Sequence, residues 1–104
     1  MKKQVRLLLV GIGGYAATLA DSIRKLPFFK IASCYHHERN KNEEGARLLN
    51  CRVPLNEEDA FFDKMIDGVI IVTPDPSHSH YIEMAINAGL HIFVEKPMVG
   101  NLSE

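Results

Sequence analysis

The chain has 104 residues, of which 46% are apolar and 24% charged, and its formal net charge is -1. This length fits one globular domain rather than two, and a balanced charge without clusters of Lys and Arg argues against nucleic-acid binding. No apolar run reaches the roughly 18 residues of a membrane span, and Cys34 and Cys51 are too few for a disulfide scaffold, so we expect a cytoplasmic protein with no membrane partner.

The amino-terminal segment has the outline of a secretory signal, because basic Lys2 and Lys3 precede an apolar stretch. However, Gly11, Gly13 and Gly14 interrupt that stretch, and each glycine costs a helix about 1 kcal/mol relative to alanine. Residues 4–10 are instead predicted to form a strand, since a near-continuous apolar run is typical of strands covered on both faces in a parallel sheet. The glycines then belong to the turn that follows this strand.

A helix is predicted after the glycines, with apolar residues at helical spacing: Ala16, Leu19, Ala20 and Ile23. Pro27 ends this helix, because the residue before a proline is pushed out of helical angles. Residues 29–35, rich in apolar and aromatic side chains, are predicted to form the second strand. The polar stretch of residues 36–42 is expected to lead into a second helix, which carries Glu43, Ala46, Leu48 and Leu49.

The middle of the chain contains shorter elements. A third strand is predicted at residues 53–55, although Pro54 weakens it. Asn56 is expected to cap a short helix that contains Phe61, Phe62 and Met65. Asp67-Gly68 is predicted to form a turn, and residues 69–73 are the least ambiguous strand in the chain.

The last predicted helix starts near Pro76, with Asp75 or Ser77 as its cap. Its expected buried residues are Tyr81, Ile82, Ala85 and Ile86. Gly89 stands where a carboxyl-terminal cap belongs. Residues 91–95 are predicted to form a final strand, which Pro97 closes.

Strands alternate with helices along the whole chain. This alternation predicts βαβ units with right-handed crossovers, and therefore an α/β fold: a doubly wound parallel sheet of about five strands in three αβα layers. Residues 1–104 are expected to form one domain. Because Asn101 or Ser103 could cap another helix just before the end, we expect the domain to be truncated near residue 100.

The turn after the first strand has the pattern G-x-G-x-x-A. It reads Gly11-Ile12-Gly13-Gly14-Tyr15-Ala16. In a strand–turn–helix context, the first glycine makes the tight turn, the second lets the backbone approach a pyrophosphate, and the small third residue lets helix and strand pack closely. The helix N-terminus then offers N–H groups and a positive dipole end to the phosphates. The pattern predicts dinucleotide binding.

Such sites usually present an Asp or Glu about 20 residues later, which binds the adenosine ribose. Here Tyr35 stands in that place, at the end of the second strand. Glu38 could substitute from the following loop, or His36, His37 and Arg39 could face a 2′-phosphate. A solvated loop of mixed charge is an equal alternative for each of these residues, so the choice between NAD and NADP stays open.

Two more motifs follow predicted strands. They are Thr73-Pro74-Asp75-Pro76-Ser77-His78 and Glu95-Lys96-Pro97. Ligands of open α/β sheets bind at the carboxyl ends of the strands, so both motifs are expected on the same edge as the glycine turn.

The three motifs make the sequence similar to the N-terminal domains of the glucose–fructose oxidoreductase, inositol dehydrogenase and rhizopine-catabolism (Gfo/Idh/MocA) oxidoreductases. These domains carry a strand–GxGxxA–helix start, a T-P-N-x-x-H turn and an E-K-P strand end. The match runs from about Val5 to Met98, with Asp75 in place of the asparagine. The resemblance implies a Rossmann fold, NAD or NADP as cofactor, and a sugar, cyclitol or related small molecule as substrate.

The resemblance also implies roles for individual residues. Lys96 would lie near the nicotinamide and the substrate hydroxyl as the catalytic residue. The expected cofactor-binding set is Gly11, Ile12, Gly13, Gly14, Tyr15, Ala16, Tyr35, His36, Thr73, Pro74, His78, Glu95, Lys96 and Pro97. The family's C-terminal domain, which supplies most substrate contacts and could carry a homo-oligomer interface, is absent, so this chain alone is expected to be inactive.

The histidines, the cysteines and the intact Lys96 bear on three other possibilities: a metal site, a reactive thiol and a regulator. A metal site is not expected, because His78 and His80 are two residues apart on a helix and nothing completes a zinc shell. Cys34 is expected to pack as a small apolar side chain, with nothing beside it that suggests an activated thiolate. A dinucleotide-binding regulator without chemistry is the second functional hypothesis, and the intact Lys96 favours the enzyme.

Overall fold

The computed structural model describes residues 4–11, 14–72 and 75–94. These residues form four strands and four helices. In chain order the elements are β1 (Val5–Val10), α1 (Gly14–Arg24), β2 (Phe29–Tyr35), α2 (Arg39–Leu49), α3 (Glu57–Phe61), β3 (Gly68–Ile71), α4 (Asp75–Ala88) and β4 (His91–Val94). No helix within the described ranges is long and apolar enough to cross a membrane.

The four strands form one parallel sheet in the order β2-β1-β3-β4. The first strand of the chain is therefore central, and the crossovers to its two neighbours run in opposite directions along the sheet. This is the doubly wound α/β topology that the alternation of elements predicts, so the expected fold class is confirmed.

Both faces of the sheet are covered, which explains the near-continuous apolar run of β1. Leu7 and Leu9 belong to a cluster with Ala20 and Ile23 of α1 and with Leu49 of α2. The alternate residues, Leu8 and Val10, belong to a second cluster that includes residues of α3 and α4: Ala60, Phe61, Tyr81 and Ala85. Side chains of one strand alternate between faces, so a strand between two helical layers needs apolar residues at every position.

The predicted third strand at residues 53–55 is wrong. The structure has only an isolated parallel bridge there, between Ser33 and Arg52. The Arg52 N–H donates to the carbonyl of Ala32 at 3.2 Å, and the Arg52 carbonyl accepts from Cys34 N–H at 3.0 Å. Pro54 follows two residues later and has no N–H to donate, so the pairing stops. The described residues thus give four strands where about five were expected.

Several predicted boundaries also differ from the structure. Helix α2 begins at Arg39, inside the stretch expected to be a loop, and α3 ends at Phe61, before Met65. Helix α4 begins at Asp75, so Ser77 lies inside the helix and does not cap it.

Burial differs from the expectation at two of the four positions of α4. Tyr81 and Ala85 are buried as predicted, but Ile82 is only partly buried and Ile86 is 63% exposed. Successive residues of a helix are about 100° apart around its axis. Ile86 follows the buried Ala85, so its side chain points away from the sheet.

The predicted caps of two helices are confirmed. The Asn56 side chain accepts a hydrogen bond from Asp59 N–H at 2.8 Å, at the start of α3. Gly89 follows α4 with φ +73°, in the left-handed region that glycine adopts at little cost. Asn50 forms a cap at the end of α2 that was not predicted: it has φ 54°, and its N–H donates to the Ala46 carbonyl.

Candidate functional site

The carboxyl ends of the four strands lie in one row. Val10 of β1 is paired with Tyr35 of β2 on one side and with Ile71 of β3 on the other, and Ile71 is paired with Val94 of β4. Each pair joins the last residues of two neighbouring strands. Every predicted motif comes after one of these strand ends in the chain, and the strand ends themselves lie at a single edge of the sheet.

The glycine turn leaves the centre of that row. Gly11 is buried and has φ 101°, a backbone conformation that a residue with a Cβ adopts only with strain. Its N–H donates to the Tyr35 carbonyl at 2.9 Å, which ties the turn to the end of β2. Helix α1 begins at Gly14, only three residues after Gly11. The chain therefore reverses from strand to helix here, as the G-x-G-x-x-A pattern predicts.

Part of the predicted site lies outside the described residues. This applies to Ile12 and Gly13 of the turn, to Thr73 and Pro74, and to the final motif Glu95-Lys96-Pro97. The side chains of Tyr15, Ala16 and His78 are also outside the description, although their backbone belongs to α1 and α4.

Tyr35, which stands in the expected place of the ribose-binding acid, ends β2 and is half-buried. It packs against the cluster formed with α3 and α4. Burial, followed by the nearby charge of Glu57, raises the pKa of its hydroxyl. The ring is thus partly occupied in packing, and it brings no negative charge to this edge at neutral pH.

The residue after the strand, His36, is held by the side chain of Asn42. The His36 N–H donates to Asn42 Oδ1 at 2.7 Å, and Asn42 Nδ2 donates to the His36 carbonyl at 2.8 Å. Asn42 lies on α2 and is only 9% exposed. The sequence analysis did not identify this residue, because a polar residue near the start of a helix carries no signal that its amide is buried.

The two adjacent histidines are stacked, with ring centroids 4.5 Å apart. His36 Nδ1 accepts the Glu38 N–H at 2.9 Å, so the neutral His36 ring carries its proton on Nε2. Burial is the main reason that the pKa of His36 is lowered, and the neighbouring His37 adds to the effect. Glu38 Oε2 lies 3.8 Å from His37 Nε2. Glu38 therefore faces His37 rather than standing alone as a ribose ligand.

A cleft of about 440 Å³ opens beside this loop. This volume is within the range of small-ligand sites. Its described lining consists of Tyr35, His36, His37, Asn42, Glu43, Val53, Pro54, Leu55 and Asn56. The lining thus combines the apolar residues Val53, Pro54 and Leu55 with the polar groups that follow β2.

His80, which was considered as a metal ligand, contacts Glu57. Its Nε2 lies 2.8 Å from Glu57 Oε1, which connects α4 to α3. Within the described ranges, no three His, Cys, Asp or Glu side chains come together in a way that could hold a metal ion.

Comparison with known proteins identifies relatives with this architecture. Residues 5–104 match the family described as an oxidoreductase family with an NAD-binding Rossmann fold. The chain is 36% identical to a scyllo-inositol 2-dehydrogenase (NAD(+)) of Bacillus subtilis, over 100% of this chain and 31% of the relative. It is 29% identical to a scyllo-inositol 2-dehydrogenase (NADP(+)) of the same organism, over 99% of this chain and 29% of the relative.

A solved structure agrees with these relatives. The chain is similar to the scyllo-inositol dehydrogenase of Lactobacillus casei in its apo form, with a TM-score of 0.81 and 30% sequence identity, over 94% of this chain and 30% of that one. The chain thus spans about a third of the length of the relatives that it matches.

Proposed function

This chain belongs to the Gfo/Idh/MocA oxidoreductase family, and from that premise we propose that it is the cofactor-binding part of a dehydrogenase or reductase that uses NAD or NADP. The proposal rests on the conformation and contacts of Gly11. This buried glycine has a positive φ, ends the central strand, is hydrogen-bonded to the end of β2, and is followed at once by α1. A dinucleotide needs this combination, because its pyrophosphate must approach the backbone closely at a helix N-terminus.

The residues around Gly11 fit the different parts of such a cofactor. Backbone N–H groups at the start of α1 bind the pyrophosphate, and Gly13 leaves room for it. Tyr35 and His36, at the end of β2, bind the adenosine ribose. Thr73, Pro74 and His78 follow β3, and Glu95, Lys96 and Pro97 follow β4, so they contact the nicotinamide half. When bound, the nicotinamide supplies hydride transfer at a carbinol or ketone carbon.

Lys96 is the residue that we assign to proton transfer. Oxidation of an alcohol removes a hydride and a proton, and a group near the carbinol oxygen must take that proton. The Lys96 Nζ accepts it during oxidation and donates it during reduction, and as an ammonium it stabilises a developing alkoxide. Lys96 comes two residues after β4 in the sequence, and β4 ends in the same row of strand ends as β1, which supports this assignment.

The proposed substrate is a sugar, a cyclitol or a similar small polyol. Two of the relatives reported above are named as scyllo-inositol dehydrogenases, one for NAD(+) and one for NADP(+), which supports a polyol and supports an enzyme over a regulator. This chain spans about a third of the length of those relatives, so we expect the rest of a longer protein to supply the remaining substrate contacts and the surface for a homo-oligomer. Cys34 and Cys51 are free thiols and form no disulfide, which fits a reducing, cytoplasmic location.

Binding of NADH to the chain tests the cofactor assignment. We expect weak binding at millimolar concentrations, measured by calorimetry or NADH fluorescence, and we expect the Gly13→Val variant to lose it, because a side chain would occupy the space of the pyrophosphate. Thr18→Val, an exposed substitution of similar size on α1, is the matched control and should bind normally. No response to NADH or NADPH, or normal binding by Gly13→Val, would overturn the assignment.

Replacement of Lys96 tests the chemistry in the protein that carries the second domain. Lys96→Met should lower turnover by orders of magnitude while dinucleotide affinity stays within a few-fold, because the phosphate-binding turn is unchanged. Lys64→Met, which removes an exposed lysine, is the control and should retain turnover. If Lys96→Met turns over within a few-fold of the original enzyme, Lys96 has no part in the mechanism.

A further inference from the structure

The loop between β2 and α2 is closed by a single side chain. Asn42 accepts the His36 N–H at 2.7 Å and donates to the His36 carbonyl at 2.8 Å, so one amide satisfies both main-chain polar groups of His36. Asn42 is nearly buried, and therefore water competes poorly for these bonds. The position of His36 relative to the end of β2 is thus fixed by a residue six positions later.

The His36 ring is fixed as well. Its Nδ1 accepts the Glu38 N–H at 2.9 Å, and its plane stacks on His37. The neutral ring then keeps one unused donor, Nε2–H, and His36 lines the cleft beside β2. A fixed neutral donor at the end of β2 suits a hydroxyl group as its partner.

Tyr35 is less well suited to bind a ribose directly. Its side chain packs against the core cluster on the α3 and α4 face, so its ring is partly occupied in packing. His36 lines the same cleft as Tyr35 and is not part of that cluster. His36 is therefore the better placed of the two to make the ribose contact that other dinucleotide-binding proteins make with a carboxylate.

We propose that Asn42 is a positioning residue for cofactor recognition, which holds His36 so that its imidazole donates to a ribose hydroxyl of the adenosine half. This inference rests on the proposed function, since it assigns a dinucleotide to the cleft. Asn42 itself does not touch the cofactor. Its two hydrogen bonds determine where His36 points, and an amide is needed because the site requires one donor and one acceptor.

The test compares ADP with 2′-deoxy-ADP, which differ only in the ribose hydroxyl, by NMR titration of the chain. The original chain should bind ADP about fivefold more tightly, as expected for one hydrogen bond. Asn42→Asp keeps the acceptor but loses the donor, and it should bring the two affinities within twofold of each other. His36→Ala should do the same, and the double variant should show no further loss, because both act through one contact.

Asn40→Asp is the matched control. Asn40 lies on the same helix, is exposed, and undergoes the same change of amide to carboxylate, so this variant should keep the fivefold ratio. If Asn42→Asp does not fold, Asn42→Ser, which is smaller and uncharged, takes its place with the same expectation. A purely structural role would weaken both ligands equally and leave the ratio unchanged.

The possible failures are distinguishable. If the original chain binds neither ADP nor 2′-deoxy-ADP, the proposed function fails and the inference fails with it. If it binds ADP without preference over 2′-deoxy-ADP, or if the preference survives in the Asn42 variants, only the inference is overturned. Amide exchange gives an independent check, because the His36 N–H should be protected in the original chain and exchange faster in Asn42→Ser without any ligand.

Discussion

Tyr35 occupies the position where a carboxylate usually selects NAD by repelling the 2′-phosphate of NADP. A tyrosine provides no such repulsion, so we expect the chain to discriminate poorly between the two cofactors. Tyr35→Asp should shift the preference toward NAD by about 1–2 kcal/mol, measured as the ratio of the Kd values for NADH and NADPH. Tyr35→Asn, which loses the same packing but adds no charge, should keep the original ratio. An unchanged ratio in Tyr35→Asp would show that another residue determines the preference.

The two cysteines differ more than the sequence indicates. Cys34 is buried in the core, as predicted, but the thiol of the half-buried Cys51 lies beside it. The hydrogen bond from Cys34, with a smaller effect of the Arg24 charge, lowers the pKa of Cys51, whereas the same contact and burial raise the pKa of Cys34. Cys34 thus has a thiol beside it that the sequence did not indicate, and the lowered pKa of Cys51 favours its thiolate.

Alkylation checks this difference. Iodoacetamide should modify Cys51 at least about tenfold faster than Cys34 at neutral pH, because the thiolate is the reactive form and Cys34 is inaccessible. Peptide mass spectrometry over time measures both rates. Cys34→Ala removes the donor, so the pH at which Cys51 becomes reactive should rise. Equal rates for the two thiols, or an unchanged pH profile in Cys34→Ala, would contradict the assignment.

Among the elements, β3 shows where local sequence patterns mislead. Asp67-Gly68 is predicted to form a turn, but Gly68 is the first residue of β3 and is buried between two neighbouring strands. A Cβ at Gly68 would lie 3.1 Å from the His91 carbonyl oxygen and 3.3 Å from Leu7 Cδ2. The glycine is thus required by close packing within the sheet and not by a turn.

Substitution of Gly68 should therefore destabilise the sheet. Gly68→Ala is expected to cost about 1–2 kcal/mol of unfolding free energy in a urea titration, and Gly68→Val more, because backbone and core atoms must move. At Gly89 a Cβ meets nothing within 4 Å, and the positive φ is the constraint, so Gly89→Asn should be much milder than Gly89→Ala. Near-normal stability of Gly68→Val would show that the strands can separate at little cost.

Prediction from sequence succeeded where a repeating apolar pattern decides the structure. The bounds of β2 follow from its apolar and aromatic run, and the glycine after α4 follows from a common helix ending. Prediction failed at residues 53–55, where strand formation depends on a partner and on a missing N–H at Pro54. It also missed Asn42, because the burial of a single amide depends on how α2 lies against β2.

At the scale of the whole molecule, Tyr81 couples stability to alkaline pH. Its ring stacks on Phe61, with centroids 5.9 Å apart, and so joins α4 to α3 under the sheet. Burial, then the charges of Glu57 and Tyr35, raises the pKa of Tyr81 from 10.0 to about 12. Because the folded pKa lies above the unfolded one, this contribution to stability is complete below pH 10 and is lost as the pH rises toward about 12.

Denaturant unfolding at a series of alkaline pH values measures this loss. The free energy of unfolding should fall across that interval in the original chain. Tyr81→Phe keeps the stacked ring but has no ionisable hydroxyl, so its decline should be smaller. Parallel curves for the two proteins would show that Tyr81 does not govern alkaline stability.

The central place of β1 has a consequence for how the protein is made. The Arg6 N–H donates to the Asp67 side chain, a residue 61 positions later, and Leu7 pairs with Gly68. During translation, β1 can pair with β2 first, and its other edge stays open until β3 has been synthesised. Long-range pairing of this kind slows folding, and an apolar strand with an open edge is prone to associate with other chains. The order of the strands thus determines how long an unpaired edge of β1 is exposed to other chains.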